Sequence, residues 1–349
     1  MLFRSFVGHG LSAPELGLDE LAGVHLRGAI AVYLTSMPRG LPGALSAHFG
    51  SAAEHWRMLR AAGAVGVVTI VNPRTSETGW AQLAAARLQP AMSIDDPALD
   101  AYPDAKISVT LNPARADRIF SGSGHTLEEI VALEERGEPL PRFALPVRLA
   151  ARVAVTRARV TSPNVAGVLR GADPARRGEY VVVSAHLDHV GVGTPVKGDA
   201  LYNGAMDNAS GIAAILEVAA RMRAAGERPA RSLLFLGVTA EEKGELGSQY
   251  FAAHPTVPAP SIVANVNTDM FLPLVPLKQL MVLGLDESDL GADIRAVASA
   301  MALSVQADPE PQRNRFIRSD QYSFIRAGIP ALDRKSTRLN SVTFRNLVC

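Results

Sequence analysis

Two kinds of hydrophobic pattern alternate along the second half of the chain. Runs rich in Val, Leu and Ile occupy residues 180–185 and 232–238, and a similar run that contains Asn265 and Asn267 occupies residues 262–267. Such runs are typical of strands buried on both faces of a parallel sheet. Between the first two runs, residues 210–225 carry apolar side chains at helical spacing, which predicts a helix. This alternation predicts an α/β fold, with a mostly parallel sheet flanked by helices.

The same patterns predict the remaining elements of this half, which are strands at 164–169 and 279–283 and helices at 246–253 and 290–301. The first half of the chain has shorter apolar runs separated by more turn residues. Its patterns predict strands at 29–34, 65–71 and 107–111 and helices at 52–62 and 126–136. Thr126 and Glu129 have the spacing of a capping box at the start of the last of these helices.

The two halves predict two domains. We expect a smaller, β-rich α+β domain over residues 6–146 and the α/β domain over residues 150–332. Residues 147–160 alternate between apolar and polar positions, which predicts one or two strands that lead from the first domain into the second.

Composition and charge narrow the possible partners. The chain has 349 residues, of which 48% are hydrophobic and 20% charged, which is ordinary for a globular protein of two domains. The formal net charge of +1 gives no indication of a nucleic-acid partner. No apolar run reaches the length of a membrane span, and the N-terminus lacks the pattern of a signal peptide. The single cysteine, Cys349, excludes a disulfide framework and a thiolate metal cluster.

Both ends of the chain carry an unusual sequence. Leu2 to Ser5 and Asp333 to Ser341 are what the two arms of a common sequencing adapter would encode. Our hypothesis is that residues 1–5 and 333–349 are assembly artefacts that flank a genuine fragment, to be left out of fold reasoning.

Polar residues follow the predicted buried strands, where open α/β sheets bind their ligands. His186 offers an imidazole nitrogen, and Asp207, Glu242 and Asp269 offer carboxylate oxygens. Imidazole nitrogen and carboxylate oxygen are ligands that zinc takes in proteins. Since so many carboxylates at one ion would raise one another's pKa, two metals that share one bridging carboxylate fit the set better than one.

Two further residues have predicted supporting roles. Asp188 lies two positions after His186 on the same side of a strand and is placed to accept the other imidazole N–H. Glu241 and Glu242 are adjacent and point differently, so one can bind metal while the other reaches the water. Taken singly, each residue is more often a turn, a helix cap or a solvated charge. Their occurrence in order at strand ends favours a metal site.

Four motifs resemble the successive metal motifs of peptidase family 28, the co-catalytic zinc aminopeptidases. They are His186-Leu-Asp188, Asp207-Asn-Ala-Ser-Gly211, Glu241 to Ser248, and Asn267-Thr-Asp269-Met270. Residues 164–169, 319–324 and 327–331 resemble the same family. The resemblance implies hydrolysis of peptide bonds at a free N-terminus by a metallopeptidase, with a peptide as substrate.

The resemblance also implies a role for each site residue. His186 and Asp269 would bind one zinc ion, Glu242 the other, and Asp207 both. Glu241 would be the general base. A cis peptide bond between Asp207 and Asn208 is implied too.

The chain departs from the family pattern at the fifth ligand. That ligand is a histidine downstream of the 327–331 stretch, whereas this chain has no histidine after His254. We therefore expect two zinc ions in the intact protein, but one or none held tightly by residues 1–349, and little activity from them.

Residues 26–32 and 59–67 resemble a protease-associated domain, which implies that the first domain is an accessory module that shapes access to the active site. The family implies a secreted or periplasmic location. Two alternatives to an aminopeptidase stay open. One is a carboxypeptidase or dipeptidase on the same scaffold, and the other is a binding relative that has lost its metal site.

Overall fold

The computed structural model describes residues 4–76, 78–87, 89–270, 276–313 and 315–336. The chain divides into two compact units, Met1–Ala158 and Arg159–Cys349. The division falls shortly after the boundary predicted at residues 146–150. The assignment of residues 6–146 and 150–332 to two domains stays a prediction.

The first unit contains a mixed sheet. The strands of this unit are β1 (Arg4–Phe6), β2 (Ser12–Ala13), β3 (Leu18–Asp19), β4 (Ile30–Leu34), β5 (Gly66–Ile70), β6 (Ser108–Leu111) and β7 (Phe143–Ala144). Among the described strands, β2 and β3 pair with each other and lie outside the mixed sheet. Within the described residues the sheet has the order β6-β5-β4-β1-β7, in which only β7 is antiparallel to its neighbour. The helices are α1 (Gly43–Gly50), α2 (Ala52–Ala61), α3 (Trp80–Ala86), α4 (Asp117–Phe120) and α5 (Leu127–Arg136).

The predicted elements of this unit agree with the structure to within one residue at most ends. The Thr126 side chain accepts a hydrogen bond from the Glu129 backbone N–H at 3.2 Å, as expected of an N-cap. Separate hydrophobic clusters pack around Val32 and Phe120 and around Trp56 and Leu59. The unit therefore has a hydrophobic core of its own.

The strands predicted over residues 147–160 do not form. Residues 148–164 have no regular secondary structure, and Val153 and Val155 are 78% and 69% exposed. An alternating pattern becomes a strand only when another strand pairs with it, and no described strand pairs with this segment.

The second unit contains the larger sheet. Its strands are β8 (Val165–Leu169), β9 (Tyr180–His186), β10 (Gly191–Val196), β11 (Asp199–Tyr202), β12 (Ser232–Val238), β13 (Ile262–Thr268), β14 (Gln279–Leu283), β15 (Ser304–Gln306) and β16 (Ala331–Ser336). In the part of the chain that the structure describes, the sheet order is β15-β14-β16-β13-β9-β12-β8, while β10 and β11 form a separate hairpin. The four central strands β16, β13, β9 and β12 are parallel.

Helices flank this sheet, which confirms the predicted α/β class. They are α6 (Ser210–Ala225), α7 (Leu246–Ala253), α8 (Leu290–Ala300) and α9 (Gln321–Arg326). Gly226 follows α6 in the left-handed conformation (φ 66°), as a helix-ending glycine does. The apolar stripe predicted for α6 is buried only in part, because Ile215 is 5% exposed whereas Leu216 is 63% exposed.

The terminal segments assigned to assembly artefacts reach into both sheets. Arg4 and Ser5 pair with β4, and Asp333 to Ser336 continue β16 between β13 and β14. Asp333 is fully buried and accepts a hydrogen bond from Asn267 Nδ2 at 3.3 Å. The origin of these segments stays a prediction, but the structure includes their described residues in paired strands. Among the described helices, none has both the length and the apolar character of a membrane span.

Candidate metal centre

The candidate metal centre lies at the carboxyl ends of three neighbouring parallel strands. His186 is the last residue of β9 and pairs in register with Val238, the last residue of β12. Asp269 directly follows β13 on the other side of β9. Parallel strands present their carboxyl ends at one edge, so residues far apart in sequence meet there.

One group of donor atoms forms around His186. The side chains of His186, Glu241 and Asp269 offer ligand atoms that all lie within 4.8 Å of one another. His186 Nε2 is 3.5 Å from Asp269 Oδ1 and 3.1 Å from Asp207 Oδ1. The structure therefore brings together the four residues that the sequence placed around this position.

A second group lies beside the first and contains a residue that the sequence analysis missed. His189, Asp207 and Glu242 offer ligand atoms within the same 4.8 Å limit. His189 Nδ1 is 2.7 Å from Glu242 Oε1 and 4.0 Å from Asp207 Oδ2. The available signal was the second imidazole of the run His186-Leu-Asp-His189. The structure thus places an imidazole beside Glu242 and Asp207, the two residues that the family resemblance assigned to the second ion.

Asp207 lies between the two groups. Its Oδ1 faces His186 and its Oδ2 faces His189. The Asp207–Asn208 peptide bond is cis, as the family resemblance implied. Asn208 is buried and fastens this loop to the end of β13, since its Nδ2 donates to Thr268 O at 2.9 Å and its Oδ1 accepts from Met270 N at 3.2 Å.

Asp188 supports the centre through different atoms from those predicted. His186 Nδ1 donates to the backbone carbonyl oxygen of Asp188 at 2.9 Å, whereas the Asp188 carboxylate is 3.9 Å from that nitrogen. The carboxylate instead accepts hydrogen bonds from the backbone N–H groups of Glu241 at 3.0 Å and Glu242 at 3.2 Å. A carbonyl only accepts, so Nδ1 carries a hydrogen, and Nε2 is the nitrogen that faces the centre and could bind a metal.

A chain of buried side chains ends on Asp269. Ser184 Oγ donates to Asn267 Oδ1 at 2.7 Å, and Asn267 Nδ2 donates to Ser319 Oγ at 3.0 Å. Ser319 Oγ in turn donates to Asp269 Oδ2 at 3.2 Å. Asn267 Nδ2 also donates to Asp333 Oδ1 at 3.3 Å. Because the members of this chain are hydrogen-bonded to one another, the chain orients the Asp269 carboxylate.

The crowding of carboxylates perturbs the protonation of the central residues. Burial disfavours the charged form of His186, but its contacts with Asp207 and Asp269 outweigh burial and raise its pKa to about 12. Burial raises the pKa of Glu241 to about 8, and neighbouring Asp320 and Asp269 add to the effect while His186 opposes it. Surroundings that hold a proton on an imidazole this firmly also favour a metal cation at the same place.

Two more acids lie close enough to Glu241 to act on it electrostatically. Burial, together with the charges of Asp320 and Glu241, raises the pKa of Glu245 to about 9. Asp320 is fully buried, and burial raises its pKa to about 7. The centre therefore carries more carboxyl groups than its two imidazoles balance.

The donor set fits zinc. His186 Nε2, His189 Nδ1 and Glu242 Oε1 are buried atoms that lie close to groups of opposite charge but have no well-aligned hydrogen bond to a described residue. Buried polar atoms are rarely left in this state without a function. Imidazole nitrogen and carboxylate oxygen are the ligands of catalytic zinc sites, which leave a position open for water.

Comparison with known proteins gives a family match. The sequence model of the family described as Peptidase family M28 matches residues 164–343, more than half of the chain. The match begins at β8 and contains both groups of donor residues.

Similar solved structures include two aminopeptidases. The aminopeptidase of Aneurinibacillus sp. strain AM-1 has 22% identity, with 97% of this chain and 66% of that chain covered and a TM-score of 0.46. A zinc aminopeptidase from Bacillus subtilis has 19% identity, coverage of 97% and 66%, and a TM-score of 0.41. A glutaminyl cyclase from Bacteroides thetaiotaomicron has 18% identity, coverage of 51% and 65%, and a TM-score of 0.41. This chain thus spans slightly less than two thirds of the first two proteins.

Proposed function

Because the chain belongs to peptidase family M28, we propose that it is a zinc-dependent exopeptidase that removes N-terminal residues from peptides with the help of two metal ions. Membership confirms the resemblance read from the four motifs. The observation that carries the proposal is the position of Asp207, whose two carboxylate oxygens face two different imidazoles at 3.1 and 4.0 Å. A carboxylate in this position could bind two ions, one through each oxygen.

Four residues of the centre would then hold the metal ions. His186 and Asp269 would hold one ion, Glu242 the other, and Asp207 would bind both. When bound, such ions lower the pKa of a water molecule and polarise the carbonyl of the bond to be cleaved. The hydrogen-bonded chain through Ser319 would keep Asp269 in the orientation that binding needs.

Glu241 would move the proton. Its carboxyl group lies with His186 and Asp269, and its backbone N–H is held by Asp188 at 3.0 Å. From there it would accept a proton from the attacking water as the new C–O bond forms. It would return that proton to the amine nitrogen as the C–N bond breaks.

The charge of the centre favours a substrate amine over a substrate carboxylate. Four carboxylates in the two groups offset the four positive charges of two divalent ions. Burial raises the pKa of the nearby acids Glu245 and Asp320, but two divalent cations would lower these values and favour the charged carboxylates. A negative field of this kind attracts the ammonium group of a peptide N-terminus and repels the carboxylate of a C-terminus.

The choice of chain end is tested with three substrates and the zinc-loaded protein. We expect hydrolysis of a leucyl anilide and little hydrolysis of its N-acetylated form, because acetylation removes the positive charge. A dipeptide that is blocked at its N-terminus and free at its C-terminus should not be cleaved. Preferred cleavage of that dipeptide would favour a carboxypeptidase, and zinc binding without cleavage of any substrate would favour the binding relative.

We also propose that residues 6–146 form a protease-associated accessory module and that residues 150–332 form the catalytic domain. The proposal rests on the resemblance of residues 26–32 and 59–67, which contribute to β4 and β5. The separate hydrophobic core of the first unit supports such a module. A secreted or periplasmic location is likewise proposed, and fractionation of cells that express the gene tests it.

A further inference from the structure

We propose that His189 is a ligand of the second metal position, together with Glu242 and Asp207. This inference rests on the proposed metal-dependent function and deepens it. It gives the second position an imidazole from this chain, whereas the family resemblance assigned that role to a downstream histidine. The run His186-Leu187-Asp188-His189 thereby supplies one imidazole to each position, from the end of β9 and the residues directly after it.

The geometry of His189 repeats that of His186. His186 Nε2 lies beside one oxygen of Asp207 and beside the carboxylate of Asp269, at 3.1 and 3.5 Å. His189 Nδ1 lies beside the other oxygen of Asp207 and beside the carboxylate of Glu242, at 4.0 and 2.7 Å. Each imidazole thus directs one nitrogen at a point shared by two carboxylates, and Asp207 is common to both points.

The atoms concerned are buried and form a short ion pair that lacks hydrogen-bond alignment. His189 Nδ1 and Glu242 Oε1 are 2.7 Å apart, but neither atom has a well-aligned hydrogen-bond partner among the described residues. An ordinary ion pair would align the N–H with the carboxylate oxygen. Donor atoms that converge without such alignment fit a shared cation better.

His189 lies between the β10–β11 hairpin and Gly204. Its ring is 6.5 Å from the ring of Tyr202 at the end of β11, and Tyr202 is held by a hydrogen bond from its hydroxyl to Thr194 O at 2.9 Å. A Cβ atom at Gly204 would lie 2.6 Å from His189 Cβ. The hairpin and the glycine therefore place the imidazole against the Asp207 loop, and such preorganisation favours metal binding.

The first experiment counts metal ions at each position. The protein is freed of metal by dialysis against a chelator and titrated with Zn²⁺, alongside His186→Ala, His189→Ala and the control His254→Ala, which changes a histidine outside both donor groups. We expect two ions for the unsubstituted protein and for His254→Ala. We expect one ion for His189→Ala, with affinity for the second reduced by at least about 10–100-fold, the effect of losing even an outer partner.

A second experiment tests direct contact and does not depend on stability. His189→Cys places a thiolate where the imidazole was, and thiolate bound to Co²⁺ gives a charge-transfer absorption band that an uncoordinated thiolate does not give. We expect this band in His189→Cys loaded with Co²⁺ and not in the unsubstituted protein, which controls for Cys349. Melting curves of the metal-free variants confirm that each is folded.

The outcomes separate this inference from the proposed function. If the unsubstituted protein binds no ion, the proposed function fails and this inference fails with it. If one ion binds and is lost in His186→Ala but not in His189→Ala, the inference is overturned together with the two-metal part of the proposed function, while a zinc-dependent exopeptidase stands. Two ions bound by His189→Ala with unchanged affinity, or a His189→Cys protein without the band, would also overturn it.

Discussion

His189 Nδ1 and Glu242 Oε1 are 2.7 Å apart, although 53 positions separate the two residues along the sequence. His189 follows β9 and Glu242 follows β12, and these two strands are parallel neighbours. The contact therefore exists because the sheet brings two strand ends together. With Asp207 beside both residues, it places a second set of ligands next to the set around His186.

Replacing Glu241 by Gln tests the proposed general base. The amide keeps the size of the side chain but cannot take a proton, so we expect the bound zinc to stay and kcat to fall by about 10²–10⁴-fold. Hydrolysis of a leucyl anilide and elemental analysis of the same sample measure both quantities. Glu217→Gln, on the exposed surface of α6, is the matched control and should leave both unchanged. Full activity of Glu241→Gln would exclude this residue as the base.

Gly204→Ala tests the packing that holds His189. The added methyl group would lie 2.6 Å from His189 Cβ and 2.9 Å from Asp207 O. We therefore expect the second zinc ion to bind more weakly in this variant than in the unsubstituted protein. Gly198→Ala is the control for backbone strain, because Gly198 also has a positive φ (89°) but no atom within 4 Å of the added position. Zinc titration compares the two variants. Equal losses in both would mean that strain, and not displacement of His189, causes the effect.

Ser319→Ala tests the support of the first metal position. The variant loses the 3.2 Å hydrogen bond to Asp269 Oδ2 and leaves Asn267 Nδ2 without that acceptor. Loss of such an outer partner weakens metal binding by about 10–100-fold, and we expect this loss at the His186 position. Ser304→Ala removes a more exposed serine hydroxyl, which bonds to Lys278 O, and should not affect zinc affinity. An unchanged affinity in Ser319→Ala would show that Asp269 needs no such support.

His55 makes the first unit sensitive to acid. Burial lowers the pKa of His55 below its ordinary value of 6.5, so the unfolded chain takes up this proton at a higher pH than the folded one. The free energy of unfolding should therefore fall as the pH drops below 6.5. Above pH 6.5 His55 is neutral in both states, so it should cause no further change.

Tryptophan fluorescence during urea unfolding at pH 5 and pH 7 measures the His55 effect. Both tryptophans of the chain, Trp56 and Trp80, belong to the first unit. His55→Gln should reduce the difference between the two pH values, whereas substitution of the exposed His25 should not. A pH difference that persists in His55→Gln would assign it to other groups.

The sequence predicts most of the sheet because buried strands leave uninterrupted apolar runs. The runs at 180–185 and 232–238 each correspond to a strand with the predicted bounds to within one residue, and the residues that follow them meet at one edge. The segment at 147–160 fails because an alternating pattern does not reveal whether a partner strand exists.

The details of the centre depend on contacts between distant segments. The place of His189 is set by the β10–β11 hairpin and by Gly204, and neither effect is visible in the motif itself. The carboxylate of Asp188 turns to the backbone N–H groups of Glu241 and Glu242 because the loop after β12 brings them within reach. Ser319 reaches Asp269 only through the fold. The sequence therefore predicts most residues of the centre and their order along the chain. It does not predict which atoms of distant residues contact each other.

An anomalous difference map at the zinc absorption edge tests the central claim, that two metal positions share Asp207, most directly. Crystals of the protein grown with zinc should show two peaks, one on each side of the Asp207 carboxylate. One peak should contact His186 and Asp269, and the other should contact His189 and Glu242. A single peak, or a second peak that does not contact Asp207, would contradict the account.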